Sequence, residues 1–172
     1  MKRLKKIYIL FFLFSLLLPV KSFGLIEVDI TRGNLDPLPV AVSPLSIDEK
    51  SRKSFEQVLK KENIGEEISS IVENNLNISG LFNPLIKDAF LQAPDIANLK
   101  PRFEDWNLIK AQALITGKVS YMDDKLRVEF RLWDVLAAKE MMALAFTTVP
   151  SNWRRVGPVS YTHLTLPTIL LV

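Results

Sequence analysis

The 172-residue sequence lacks cysteine altogether and contains one histidine, His163. Without thiols it can form no disulfide, cysteine nucleophile, cysteine-based zinc site or lipid-modified N-terminal cysteine. It also lacks a glycine-rich phosphate loop and a Gly-x-Ser-x-Gly elbow. We therefore expect a protein that is not an enzyme, with no catalytic residue, no metal ligand, no cofactor and no small-molecule substrate.

An excess of positive charge is also missing from most of the chain. Residues 1–24 hold five of the 22 basic residues and none of the 19 acidic ones, which leaves 17 basic against 19 acidic residues and a net charge of −2. Nucleic acids and anionic membranes attract basic surfaces. We therefore expect neither of them as a partner.

Residues 1–24 have the pattern of a secretory signal peptide. Basic residues precede a fourteen-residue apolar run, from residue 7 to residue 20, and small residues follow at Ser22 and Gly24. The alternative is an uncleaved anchor, but a spanning helix needs ~20 apolar residues. We expect cleavage after Gly24 and a soluble mature protein outside the cytoplasm.

Residues 112–135 predict a β-hairpin, because apolar and polar residues alternate on both sides of Asp123 and Asp124. A two-residue turn there places Lys118 opposite Glu129 and aligns the apolar residues in pairs. These pairs are Tyr121 with Leu126, Val119 with Val128, Gly117 with Phe130, and Ile115 with Leu132. A slip of one residue would turn every apolar side chain towards water, so both faces predict the same register.

Two helices are predicted to cover this hairpin. The first begins at Gly65, stops at Gly80 and presents an apolar stripe of Ile68, Ile71, Val72 and Leu76. The second begins at Pro101 and turns Phe103, Trp106 and Ile109 towards the core. The fold class is therefore α+β, with two main helices packed on a mixed, mostly antiparallel sheet of about five strands.

The remaining segments give weaker signals. Residues 38–45 predict a strand that is short or lies at an edge, because Pro39 and Pro44 limit its pairing. Residues 83–86 predict a short strand, and residues 140–149 a third strand of the meander whose register stays open. Residues 93–100 are predicted to form a loop. The charged residues 46–61 indicate a solvated helix or a mobile insertion.

The C-terminal region leaves two alternatives open. Ser151 is placed to cap a helix in which Trp153 is a core aromatic, although Trp153, Arg154 and Arg155 together would also suit a binding patch. Residues 157–172 break the pattern with two prolines and an uncharged apolar end, and they resemble a translated sequencing adapter. We interpret this stretch as a non-native tail, which limits the folded domain to residues 25–156.

Residues 25–31 alternate between apolar Ile26, Val28 and Ile30 and acidic Glu27 and Asp29. This pattern is typical of a strand with one face in water. It suits an ordinary sheet strand or an extended arm offered to a partner. The residues alone leave both interpretations open, and we refer to residues 25–31 below as the N-terminal arm.

Six segments, taken in order, resemble the amino-terminal domain of the TolB family. They are residues 26–33 (IEVDITRG), 40–45 (VAVSPL), 76–82 (LNISGLF), 106–119 (WNLIKAQALITGKV), 128–135 (VEFRLWDV) and 152–156 (NWRRV). The resemblance implies a periplasmic protein-interaction component of the Tol-Pal system, which supports outer-membrane integrity and constriction at cell division. It also implies a β-propeller after this domain, so that the chain is a fragment without the propeller.

The resemblance further implies two partners. TolA is expected to bind the mature N-terminus, through Leu25, Ile26, Glu27, Val28, Asp29, Ile30 and Thr31. Pal is expected only for the full-length protein with its propeller. The alternative is a secreted adaptor domain of similar fold that assists assembly of the envelope or of a surface appendage.

Overall fold

The computed structural model describes residues 36–158 of the chain. The predicted signal peptide, the N-terminal arm and residues 159–172 of the predicted tail lie outside this range. Within it, no helix is long and apolar enough to cross a membrane.

Residues 36–158 contain six strands, four complete α-helices and two short 3₁₀ helices, and residues 156–158 at the end of this range are also α-helical. The strands are β1 (Leu38–Val42), β2 (Ser46–Ile47), β3 (Phe82–Pro84), β4 (Ala113–Met122), β5 (Lys125–Asp134) and β6 (Lys139–Thr148). The α-helices are α1 (Glu49–Leu59), α2 (Ile64–Ile78), α3 (Pro94–Leu99) and α4 (Phe103–Leu108), and the 3₁₀ helices span Lys87–Ala89 and Pro150–Arg155.

All six strands belong to one mixed sheet. The order is β3-β1-β4-β5-β6, and β2 pairs with β4 beyond the end of β1. The pairings of β1 with β3 and of β4 with β1 and β2 are parallel, whereas β4, β5 and β6 are antiparallel to one another. The predicted α+β class with a mixed sheet is confirmed.

The β4–β5 hairpin has the predicted register. Lys118 lies opposite Glu129, and Tyr121, Val119, Gly117 and Ile115 lie opposite Leu126, Val128, Phe130 and Leu132. Asp123 and Asp124 both have positive φ, at 50° and 56°. Positive φ at both central residues is the geometry of a type I′ turn, which matches the twist of the strands it joins.

Helix α2 covers one face of this hairpin, as predicted. Ile68, Val72 and Leu76 are fully buried, and Ile71 packs beside them. They form the main core with the apolar face of the sheet, which includes Val40, Val42, Ile115, Val119, Leu126, Val128, Phe130 and Leu132. The predicted stop is also confirmed, because Gly80 follows the helix with φ at 72°, a conformation that glycine adopts without a Cβ clash.

The charged segment contributes more than the sequence suggested. It folds into α1, which begins directly after Asp48 and buries Phe55 in the main core. The Phe55 ring meets the Tyr121 ring edge-on, with 5.5 Å between centroids. Of the two alternatives for this segment, the helix is confirmed. Helix α1, rather than the helix after Pro101, is the second long helix. Its apolar residues are too few to stand out against its charges.

Strand β1 is short, as predicted. It does not lie at the edge, because β3 pairs along one side and β4 along the other. Pro39 is tolerated there because it contributes its carbonyl, which accepts a hydrogen bond from Gln112 N at 3.0 Å. The loop predicted for residues 93–100 is wrong, because these residues contain α3, with Pro94 in the first turn where a missing N–H costs nothing.

The ends of the later elements also differ from expectation. Helix α4 begins at Phe103, two residues after the predicted start at Pro101. Ser151 does not cap a helix, because the 3₁₀ helix begins at Pro150 and no side chain caps it. The third strand of the meander is confirmed as β6. It pairs with β5 from Leu126 opposite Thr148 to Asp134 opposite Lys139, with a shift of register between Leu132 and Trp133.

Candidate functional site

The partner-binding residues predicted from the sequence are those of the N-terminal arm. All seven lie outside residues 36–158, so the structure neither brings them together nor separates them. Their role stays a prediction.

No group of three or more histidine, cysteine or acidic side chains lies close enough within residues 36–158 to hold a metal ion.

Asp123 and Asp124 are turn residues, as predicted from the sequence. The Tyr121 hydroxyl donates a hydrogen bond to Asp124 Oδ1 at 3.1 Å. Desolvation, followed by the nearby Asp124 carboxylate, raises the pKa of Tyr121 above its ordinary value.

Trp153, near the end of the described residues, lies at the centre of a cluster of charged side chains. It is only 4% exposed, which confirms the prediction of a core aromatic. Lys61 Nζ lies 5.1 Å from the centroid of its ring and Arg154 Cζ lies 4.3 Å from it. Lys61 also donates to both carboxylate oxygens of Glu67, at 2.6 and 2.7 Å. No pattern in the sequence indicated the contact with Lys61, which is 92 positions away.

A groove of about 570 Å³ runs beside this cluster. It is lined by Asn63, Glu66, Glu67, Ser70, Ile71, Trp153 and Arg154. A second depression, of about 260 Å³, lies near the gap between β1 and β2, and its lining includes Glu62 and Asp95. Both are open to solvent and lined largely by polar groups. They suit contact with another macromolecule better than enclosure of a small substrate.

Asp48 fastens α1 to the sheet. Its carboxylate accepts a hydrogen bond from Ser51 N at 2.9 Å and lies 3.4 Å from Lys118 Nζ on β4. The hydrogen bond from the Ser51 backbone holds the pKa of Asp48 below its ordinary value, and Lys118 lowers it further. Ser51 in turn accepts a hydrogen bond from Tyr121 N at 2.9 Å. Together these contacts fix the start of α1 against β4.

The opposite face of the sheet is covered by α3 and α4 around Gln92. This side chain is 4% exposed, and its Oε1 accepts hydrogen bonds from Arg102 N and Trp106 Nε1, each at 3.0 Å. Its Nε2 donates to Lys100 O at 3.0 Å. One amide therefore joins the end of α3 to the start of α4. Nothing in the sequence pattern distinguished Gln92 from a solvent-exposed residue.

Large apolar side chains remain exposed on this α3–α4 layer. The most exposed are Ile86, Leu91, Ile96, Leu99 and Leu108, with exposed fractions between 57% and 80%. Scattered exposed leucines are normal on a protein surface, so exposure alone assigns no partner.

The sequence matches one protein family. The family model described as the TolB amino-terminal domain covers residues 26–141, which is more than half of the chain. This range includes all but one residue of the N-terminal arm, and also the sheet up to the start of β6.

Two relatives illustrate the similarity. Over 148 residues, the chain is 76% identical to the Tol-Pal system protein TolB of Pelagibacter ubique (strain HTCC1062), a match that covers 86% of this chain and 33% of the relative. The chain thus spans about a third of the length of that curated relative. The crystal structure of TolB from Acinetobacter baumannii matches with a TM-score of 0.56 at 20% identity, over 74% of this chain and 27% of that one. The structural likeness supports the fold.

Proposed function

Since the chain belongs to the TolB amino-terminal domain family, we propose that it is a periplasmic, non-enzymatic protein-interaction component of the Tol-Pal system. In this role it supports outer-membrane integrity and constriction at cell division. Its partner is TolA, which binds the N-terminal arm.

The observation that carries the proposal is the range of the family match, which begins at residue 26. The match thus extends into the arm, well before the first described strand at Leu38. An extended segment that alternates Ile26, Val28 and Ile30 with two acidic residues suits addition to the edge of a partner's sheet. Main-chain hydrogen bonds then provide affinity, and alternate side chains provide specificity.

The described domain supports a binding role rather than a catalytic one. Its depressions are open, and its buried polar side chains, such as Gln92 and Ser51, are engaged in hydrogen bonds that hold helices in place. We assign contact with Pal only to the full-length protein with its propeller. The match covers a third of the curated relative, so this part of the proposal concerns the longer protein.

Calorimetric titration of the mature chain with TolA tests the proposal. We expect binding by the chain that starts at Leu25, and competition by a synthetic peptide of residues 25–31. A chain that starts at Thr31 should lose binding. Val28→Pro should also abolish it, because proline donates no backbone hydrogen bond and cannot pair on both sides of a strand.

Val28→Thr is the matched control, because threonine keeps both the backbone N–H and the preference for an extended strand. It should retain most of the affinity. Equal binding by all variants, including the shortened chain, would place the TolA contact elsewhere. Thermal melting of each variant separates loss of binding from loss of folding.

A further inference from the structure

We draw no further inference here: the strongest candidate, the outer edge of strand β6 with its uncharged run from Met141 to Thr148, assigns no partner, because nothing within residues 36–158 shows what covers it.

Discussion

The two faces of the sheet are covered in different ways. On one face, α1 and α2 bury Phe55, Ile68 and Val72 against the hairpin in one continuous main core. On the other, the short helices α3 and α4 enclose a smaller cluster around Trp106 and Leu114, joined through the polar side chain of Gln92. The first face depends on apolar area, and the second on a few specific hydrogen bonds.

This difference explains which parts of the fold are visible in the sequence. A helix that packs by apolar area repeats its buried residues every three or four positions, as α2 does. A layer held together by one buried side-chain amide shows no such regular spacing of buried residues. We therefore expect substitutions on the first face to lower the stability of the whole domain. Substitutions on the second face should lower only the local stability of the α3–α4 layer.

The largest effect is expected from Phe130→Ala in the main core. Phe130 is 1% exposed, and truncating a buried phenylalanine costs about 3–5 kcal/mol in the free energy of unfolding. Chemical denaturation should show this loss as one cooperative transition at lower denaturant. The control is Arg131→Ala on the opposite side of the same strand, where the side chain is 40% exposed, and it should change stability by less than about 0.5 kcal/mol. Similar losses in both variants would refute the assignment of the two faces.

A smaller and local effect is expected from Gln92→Met. Methionine has a similar shape but leaves Arg102 N, Trp106 Nε1 and Lys100 O without their partner, at a cost of about 2–3 kcal/mol. Amide exchange should rise at Ala97 N, which donates to Ala93 O in α3, and stay constant in α2. If exchange became faster in both helices to the same extent, the two layers would unfold together, which would contradict a local effect in the α3–α4 layer.

On the first face, Asp48→Ala should cost about 1 kcal/mol, because it removes the N-cap of α1. The pKa of Asp48 is lower in the folded protein than its ordinary value of 3.8. The carboxylate therefore contributes fully to stability well above that pH and loses its contribution as pH falls through the folded pKa. Denaturation at several pH values should show the free energies of unfolding of the two proteins converging in acid.

Asp48→Ser, which can still cap the helix, should lose less stability at neutral pH. A difference in the free energy of unfolding that does not change with pH would contradict the capping role.

The smallest effect concerns the hairpin turn. Asp124 has φ at 56°, a conformation that costs an L-residue energy but not glycine. Asp124→Gly should therefore stabilise the domain by about 0.5 kcal/mol, measured as a small rise in melting temperature. Asp124→Ala should destabilise it, because alanine tolerates positive φ poorly. Stabilisation by both substitutions would argue against a type I′ turn.

The sequence predicted the first face well because its apolar residues recur with a clear period. The hairpin register, α2 and the stop at Gly80 all follow from that rule. The same rule was less decisive for α1, where a helix was one of two alternatives, because its single fully buried aromatic, Phe55, stands among charges. It failed for α3, because a six-residue helix held through Gln92 has too few turns to show a period.

The candidate sites show the same limit. Trp153 was recognised as a core aromatic from its position, but Lys61 lies in a distant loop and reaches the ring only through the tertiary fold. Gly157, at the start of the predicted non-native tail, lies against Ile71, a contact that no local pattern indicated. Contacts between distant segments leave no local pattern in one sequence.

The most direct test of the proposed function is a nuclear magnetic resonance titration of the isotope-labelled mature chain with TolA. We predict that the resonances of residues 25–31 shift or broaden first, while those of the main core and of the exposed leucines on the α3–α4 layer stay in place. Changes confined to Leu91, Leu99 and Leu108, with the arm unaffected, would contradict the account, and so would the absence of any change at saturating TolA.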